Sequence, residues 1–287
     1  MLKSLRDLTK DFIKKYGIIP NEVRFGQHFL VDGKTVERFI EACEIKKEDK
    51  ILEIGPGLGA LSAKLARKSD FVTLVEIDKQ FSDSLLAIQK KYPQLTIEFE
   101  NALELPFYDF DLVCGALSYS IFEPLMFKLA FDNGFKKGVF IVSNKFAEDF
   151  ANNKTRLTVL VDTFFEVAIL ERLPSSYFLP EPRTPGVIIK LERKDKTDNN
   201  HLLWKELFLQ RDKKIKNALR ESLINVAATK GKVLTKKEAT SMFSKFENKD
   251  ILEKTLSQLS SKDFVIFRSQ PLLASPNRGG AGGVISN

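Results

Sequence analysis

The sequence predicts an α/β fold, a doubly wound and mainly parallel sheet, followed by a smaller α-helical domain. Three observations carry this. The stretch Ile51-Leu52-Glu53-Ile54-Gly55-Pro56-Gly57-Leu58-Gly59 is a short apolar run that breaks into three glycines and resumes as a helix-like pattern at Leu61 and Leu65. From there to Ser143, apolar runs alternate with amphipathic helical patterns, the rhythm of a parallel sheet covered on both faces. Beyond residue 200 the pattern is helical and basic: residues 200–287 carry 16 Lys and Arg against 8 Asp and Glu, in a chain with 45 and 38 overall.

In chain order, Ser4 with Asp7 makes an N-terminal capping pattern, and Leu5, Leu8, Phe12 and Tyr16 recur at helical spacing up to Gly17, so the first element is an amphipathic helix. Pro20 ends that pattern. Residues 24–30, Arg-Phe-Gly-Gln-His-Phe-Leu, read as an irregular segment that either lines a pocket or serves as a linker pinned by Phe25 and Phe29. A helix is expected at 34–44. Strands are then expected at 50–54, 71–76, 95–99, 111–115 and 138–143, with helices at 60–68, 78–91 and 121–132.

Ligands of such sheets bind at the carboxyl ends of the strands. Four strand ends, Gly55 to Gly59, Glu76, Asn101-Ala102 and Gly115 to Tyr119, should therefore face one crevice. Glycines permit positive φ and let a ligand touch the main chain. Glu76, 21 residues beyond Gly55, stands where an acid binds ribose hydroxyls. Together they predict a nucleoside cofactor.

Residues 156–165 read as a helix and 167–170 as a strand. Pro174, Pro180, Pro182 and Pro185 exclude regular structure from a loop that carries Tyr177 and Phe178, rings suited either to stacking on a base or to burial beneath the loop. A strand resumes at 187–191, and the polar stretch 194–200 marks a boundary. Beyond it Trp204, Leu207, Phe208, Ile215, Leu219 and Leu223 form an apolar face, with Arg211, Lys213, Lys214, Lys216 and Arg220 around it. Those cations are candidates for phosphate contact, a solvated basic surface being the plainer alternative. Thr235 with Glu238 caps a helix expected to run through Phe246, another is expected at 250–259, and the Gly-rich residues 275–287 read as a disordered tail. The expected division is an N-terminal helical extension at 1–24, the α/β domain at 25–195, a basic helical domain at 196–274, the candidate for nucleic-acid contact, and the tail.

Several classes are excluded. With 287 residues, 43% hydrophobic and 29% charged, the composition is that of a globular protein of two domains. No apolar run approaches the roughly 20 residues that span a bilayer. Lys3, Arg6, Lys10, Lys14 and Lys15 have no uninterrupted apolar core behind them, so a secretory signal is not expected and the protein is expected in the cytoplasm. Cys43 and Cys114 lack CxxC spacing and read as buried thiols; with only two histidines, no metal site is expected. The net charge of +7 points to a polyanionic partner, nucleic acid.

These residues resemble the small-subunit rRNA adenine dimethyltransferases, the KsgA type, and among them the archaeal and eukaryotic relatives. The likeness spans about residues 22–225. Its pieces are FGQHFL at 25–30, LEIGPGLGALS at 52–62, VEID at 75–78, RLTVLV at 156–161, the pattern Phe178-x-Pro180-x-Pro182, and QRDKKIKNAL at 210–219. The resemblance implies a Rossmann-like S-adenosylmethionine-dependent methyltransferase domain that methylates the exocyclic amine of adenines in small-subunit rRNA, with a role in ribosome biogenesis. Its implied partner is small-subunit rRNA or the immature small subunit, met by a monomer.

Carried onto this chain, the resemblance assigns His28 and Leu30 to the methionine portion of the cofactor. Gly55 and Gly57 would admit it, Glu76 and Ile77 would meet the ribose, and Asn101 and Ala102 the adenine. Ala116, Leu117, Tyr119 and Phe178 would form the catalytic loop and its stacking aromatics, with Ala116 also beside the cofactor; Arg211, Lys213, Lys214 and Lys216 would bind RNA. The chain departs from the family where Asn-Leu/Ile-Pro-Tyr is replaced by Ala116-Leu117-Ser118-Tyr119, and where Asn101 replaces the usual Asp. An alternative follows from Ala116 and Ser118: a weakened or inactive relative that acts as an RNA-binding assembly factor.

Overall fold

In the computed structural model, residues 3–107, 109–132, 135–151, 155–194, 199–246, 248–270 and 272–273 are described. The Val-, Ile- and Leu-rich runs form a seven-stranded sheet. Its members are β2 (Lys50–Ile54), β3 (Phe71–Val75), β4 (Leu95–Glu98), β5 (Leu112–Ala116), β6 (Lys137–Ser143), β7 (Phe165–Leu173) and β9 (Gly186–Arg193), in the order β4-β3-β2-β5-β6-β9-β7. The first five are parallel. β9 runs antiparallel to β6, from Lys137 opposite Glu192 to Ser143 opposite Gly186. The inner strands are apolar on both faces: four of five residues in β2 and five of seven in β6 are buried.

Successive strands lead away from β2 in one direction through β3 and β4, and away from β5 in the other through β6. The switch point of the sheet therefore lies between β2 and β5, where the crevice of such folds opens. At that point a Cβ on Gly115, whose φ is +154°, would stand 2.3 Å from the carbonyl oxygen of Ile54. Only glycine lets the two strand ends lie this close.

A first compact unit comprises residues 1–147 and 166–193, a second 148–165 and 194–287. The first holds α1 (Leu5–Tyr16), α2 (Glu22–Phe25), α3 (Gly33–Ala42), α4 (Ser62–Leu65), α5 (Ser82–Lys91) and α6 (Tyr119–Phe131); α7 (Asn144–Ala151) spans its edge. Ser4 caps α1 as expected, its hydroxyl accepting from Asp7 N, and Gly17 closes it in the left-handed conformation. In the second unit, α8 (Arg156–Phe164), α9 (Asn199–Leu209), α10 (Ile215–Thr229), α11 (Lys236–Ser241), α12 (Lys249–Glu253) and α13 (Ser261–Arg268) surround an aromatic core of Trp204, Phe208, Phe264 and Phe267. Trp204 Nε1 donates to Leu273 O at 3.2 Å. The apolar face expected from Trp204 to Leu223 is thus two helices, and all six of its members are buried.

The structure corrects several expectations. Segments read as irregular, 24–30 and the proline loop, each contain a two-residue strand: β1 (Phe29–Leu30) pairs antiparallel with β8 (Phe178–Leu179). Prolines at 180, 182 and 185 flank β8 without interrupting its ladder. The helix expected at 60–68 is only one α-helical turn, and the last helix, α13, lies beyond the region where one was expected. The contiguous division at 195 differs from the observed one because 148–165 belongs with the helical unit. The tail at 275–287 lies outside the described residues.

Thr235 forms a full capping box with Glu238, its N–H donating to Glu238 Oε2 at 2.8 Å and its hydroxyl accepting from Glu238 N at 3.3 Å. Thr235→Ala is expected to lower stability by about 1 kcal/mol, read from the urea midpoint at unchanged slope.

Candidate functional site

A crevice of about 330 Å³ opens at the switch point, wholly within the first unit. Its walls come from the turn after β2, the ends of β3 and β5, the 100–103 segment, the segment 25–30 and α1. Of the sequence-predicted residues, His28, Leu30, Gly55, Gly57, Glu76, Ile77, Asn101, Ala102, Ala116 and Leu117 all line it.

The glycine turn is held open by main-chain conformation. Gly55 and Gly57 have φ of +67° and +54°, and a Cβ on Gly55 would meet nothing within 4 Å, so that face is free for a ligand. Glu76, 4% exposed, ties the turn to the end of β3: Gly57 N donates to its Oε2 at 3.0 Å, and Asp78 N to its Oε1 at 2.9 Å. Each oxygen keeps further accepting capacity for a hydroxyl. Burial pushes the Glu76 carboxyl above its ordinary range, while the N–H groups of Asp78 and Gly57 favour the charged form.

Glu53 is a site residue that the sequence motifs do not mark. It is 1% exposed on β2, lines the crevice, and its Oε2 has no hydrogen-bond partner among the described residues. Burial pushes it up to about 8; the Glu76 charge adds to this, and the Ser62 hydroxyl works against it. The signal was present in the sequence, an acid set inside the apolar run Ile51-Leu52-Glu53-Ile54, where an uncompensated charge is costly.

The β1–β8 pair brings FGQHFL against the proline loop. His28 Nδ1 lies 2.9 Å from Pro180 O, an acceptor only, so Nδ1 donates there. Gln27 Nε2 donates to Asp78 Oδ2 at 2.7 Å, and Gln80 Nε2 to the same oxygen at 2.5 Å, a bracket beside Glu76. The likeness in residues 25–30 is therefore architectural as well as ligand-facing. Phe178 is not brought to the crevice: at 4% exposure it packs under the loop, its ring 3.1 Å from where a Cβ on Gly186 would stand. Of its two fates, burial is the one observed, because β1 pairing pulls residue 178 inward.

Asn101 caps a short turn, its Oδ1 accepting from Leu103 N at 3.0 Å and its Nδ2 donating to Glu104 Oε1 at 3.0 Å. The oxygen retains one lone pair for an adenine amine. Ile77, 52% exposed, and buried Ala102 supply apolar surface there. At the end of β5, Leu117 N donates to Ile141 O at 2.8 Å, which fixes the loop to β6. Ser118 and Ser120 line the crevice next to Ala116, their hydroxyls 2.8 Å apart. The side chain of Tyr119 lies outside the described residues.

In the second unit, the lysines expected at phosphates are engaged in surface ion pairs. Lys213 pairs with Glu221, Lys214 and Lys216 reach Glu253 at 3.1 and 2.6 Å, and Arg211 lies 4.0 Å from Asp212. Exposed pairs of this kind are worth about 0–1 kcal/mol and give way readily to a phosphate. No cluster of three or more His, Cys, Asp or Glu suited to a metal, and no helix long and apolar enough to cross a membrane, occurs among the described residues.

The crevice thus offers an acid for vicinal hydroxyls, an apolar slot, and an orphaned buried carboxylate oxygen suited to a positive charge. Such a donor set fits S-adenosylmethionine, which carries an adenosine and a cationic amino acid.

Comparison with known proteins agrees with this chemistry. The profile of the family described as "Ribosomal RNA adenine dimethylase" matches residues 20–250. A probable ribosomal RNA small subunit methyltransferase A of Thermococcus sibiricus is 34% identical over 220 residues, 73% of this chain and 79% of that protein. The protein of the same name in Thermococcus kodakarensis is 30% identical over 90% of this chain and 92% of its own length. Among solved structures, a dimethyladenosine transferase of Plasmodium falciparum superposes with a TM-score of 0.58 at 26% identity, covering 83% of this chain and 95% of that one. A 23S rRNA methyltransferase, at TM-score 0.56 and 20% identity over 83% and 97%, shares the fold.

Proposed function

The chain belongs to the ribosomal RNA adenine dimethylase family, an S-adenosylmethionine-dependent methyltransferase acting on adenines of small-subunit rRNA, and from this we propose how its residues divide the work. The observation that carries the assignment of roles is Glu76, held at both oxygens by main-chain N–H groups beneath the glycine turn. Glu76 takes the ribose hydroxyls, and Ile77 and Ala102 enclose the adenine while Asn101 accepts from its amine. Gly55 and Gly57 let the amino-acid portion pass close to the backbone, with His28 and Leu30 bordering it and Glu53 facing its positive charge.

When bound, S-adenosylmethionine would supply its sulfonium methyl group to the adenine amine nitrogen, its S–CH3 bond breaking to leave the thioether S-adenosylhomocysteine while the amine gives up a proton to solvent. The chain's own contribution is positioning and electrostatics. With Ala116 lacking a side-chain acceptor, the target amine is held by the main-chain carbonyls of Ala116 and Leu117, assisted by the Ser118 hydroxyl. Tyr119 stacks on the flipped-out base, and Phe178, packed beneath the loop, supports that wall.

The substrate is the immature small subunit, approached by a monomer in the cytoplasm, with the basic helical segment 196–274 on RNA phosphates. Labelled-methyl transfer to immature small subunits tests the whole reading; no incorporation where an active relative modifies them overturns it. Neutralising Lys213, Lys214 and Lys216 together is expected to lower the salt slope of rRNA binding by about 0.7–0.9 for each phosphate that is no longer neutralised. An unchanged slope, measured by binding titration at several salt concentrations, would move the interface elsewhere.

A further inference from the structure

The family profile begins at residue 20, yet the crevice is walled in part by α1, which lies before it. From its sequence α1 is an amphipathic helix with Leu5, Leu8, Phe12 and Tyr16 inward. Leu5, Phe12 and Tyr16 are half-buried on that face, Leu5 and Tyr16 against the core, and Leu8 is the exception. Leu8 is 40% exposed, and the buried residue of the helix is Thr9, at 6%, which lines the crevice. Its hydroxyl makes no hydrogen bond to the described residues. A hydroxyl on the wall of a crevice is open to whatever occupies that crevice.

Both ends of α1 are tied to elements that border the crevice. At its start, the Arg6 guanidinium donates to the carbonyl of Ser176, in the turn before β8; the same turn accepts from Val31 N at 2.8 Å through Tyr177 O, which joins it to β1. Beyond its end, Ile18 is buried and Ile19 N donates to Gln80 Oε1 at 3.1 Å, on the bracket that Gln80 forms with Asp78 and Gln27 beside Glu76. One tie lies on the His28–Leu30 side and the other on the Glu76 side. The helix is a strap fastened at both ends beside the crevice, with Thr9 on the wall between the two ties.

We propose that α1 is part of the cofactor site: Thr9 is a further cofactor-binding residue, and the strap governs how fast S-adenosylmethionine and its demethylated product S-adenosylhomocysteine leave. The inference rests on the cofactor assignment above. A helix held at both ends beside a bound nucleoside resists the local opening that lets it leave, so it acts on dissociation more than on association.

The test is made on the full chain with the two nucleosides as probes, by stopped-flow or surface-plasmon kinetics. Arg6→Ala is expected to speed S-adenosylhomocysteine dissociation about tenfold with association changed less than twofold, and Arg6→Lys to restore part of it. Thr9→Val, which keeps the volume and removes the hydroxyl, is expected to weaken S-adenosylmethionine about 2- to 10-fold. Thermal melting of each variant separates these effects from unfolding. Dissociation rates and affinities within twofold of the parent in both Arg6→Ala and Thr9→Val, at unchanged melting temperature, overturn the proposal and leave the cofactor assignment intact. Absence of binding by the parent protein itself overturns the cofactor assignment and the strap with it.

Discussion

Glu76→Gln is expected to weaken S-adenosylmethionine binding by at least about 100-fold while the protein remains folded. The substitution preserves shape and removes charge, and in this setting it does more. Both carboxylate oxygens accept from main-chain N–H groups, Gly57 N at 3.0 Å and Asp78 N at 2.9 Å. A glutamine has one oxygen, so its amide nitrogen must turn toward one of those donors. The turn that admits the ligand loosens at the same time as the charged acceptor for the ribose hydroxyls is lost. Hydrogen bonds to charged groups are each worth about 1.5–3 kcal/mol, so two weakened together give the stated factor. Titration calorimetry measures it, with circular dichroism as the control for folding. A dissociation constant within tenfold of the parent would remove Glu76 from the ribose site.

The order of strands and the position of the crevice were legible because β2 to β6 are runs of four to seven residues with strong apolar character, bounded by glycines and caps. The turn from Gly55 to Gly59 was legible for a sharper reason: three glycines within five residues are costly unless positive φ is needed, and all three adopt it. What escaped was pairing over distance. β1 and β8 are two residues each and join positions 150 apart, as in Phe29 opposite Leu179; neither has a periodicity of its own, and prolines around β8 argued against a strand. The same pairing decided the fate of Phe178. Glu53 escaped because the period of the apolar run around it defines a strand, while the informative feature is the one exception within that run. Thr9 escaped because helical spacing identifies the apolar face and says nothing of a polar residue buried against a cavity. The lysines of 213–216 were legible as a basic cluster, but not their partners: Glu221 lies 8 residues on from Lys213, and Glu253, on another helix, 39 and 37 residues on from Lys214 and Lys216.

Stability of the ligand-free protein is expected to fall as pH rises from about 5 to about 8, and Glu53→Gln is expected to flatten that fall. Glu53 titrates near 4.5 in an unfolded chain, while in the folded protein burial raises it to about 8. Between those values the folded state holds a proton that the unfolded state has released. The number of protons bound is then smaller in the unfolded state, and stability decreases with pH across the window. Complete passage costs up to about 5 kcal/mol, the product of the shift and 1.36 kcal/mol per unit. Glu76, raised in the same direction by its own burial, adds to the slope, and the Cys114 thiol, pushed up beside Cys43 and Glu53, stays protonated throughout. Below about pH 4.5 Glu53 is neutral in both states and contributes nothing to the dependence. Glutamine reproduces the neutral form at every pH, so the variant should match the parent near pH 5 and exceed it in melting temperature near pH 8. Saturating S-adenosylmethionine should narrow that gap, since its positive charge favours the ionised carboxylate and draws the group back toward its ordinary range. Parallel melting-temperature curves for the two proteins from pH 5 to 9 would mean that the carboxylate is solvated in the free enzyme, and that its orphaned oxygen is not the group that awaits the cofactor's charge.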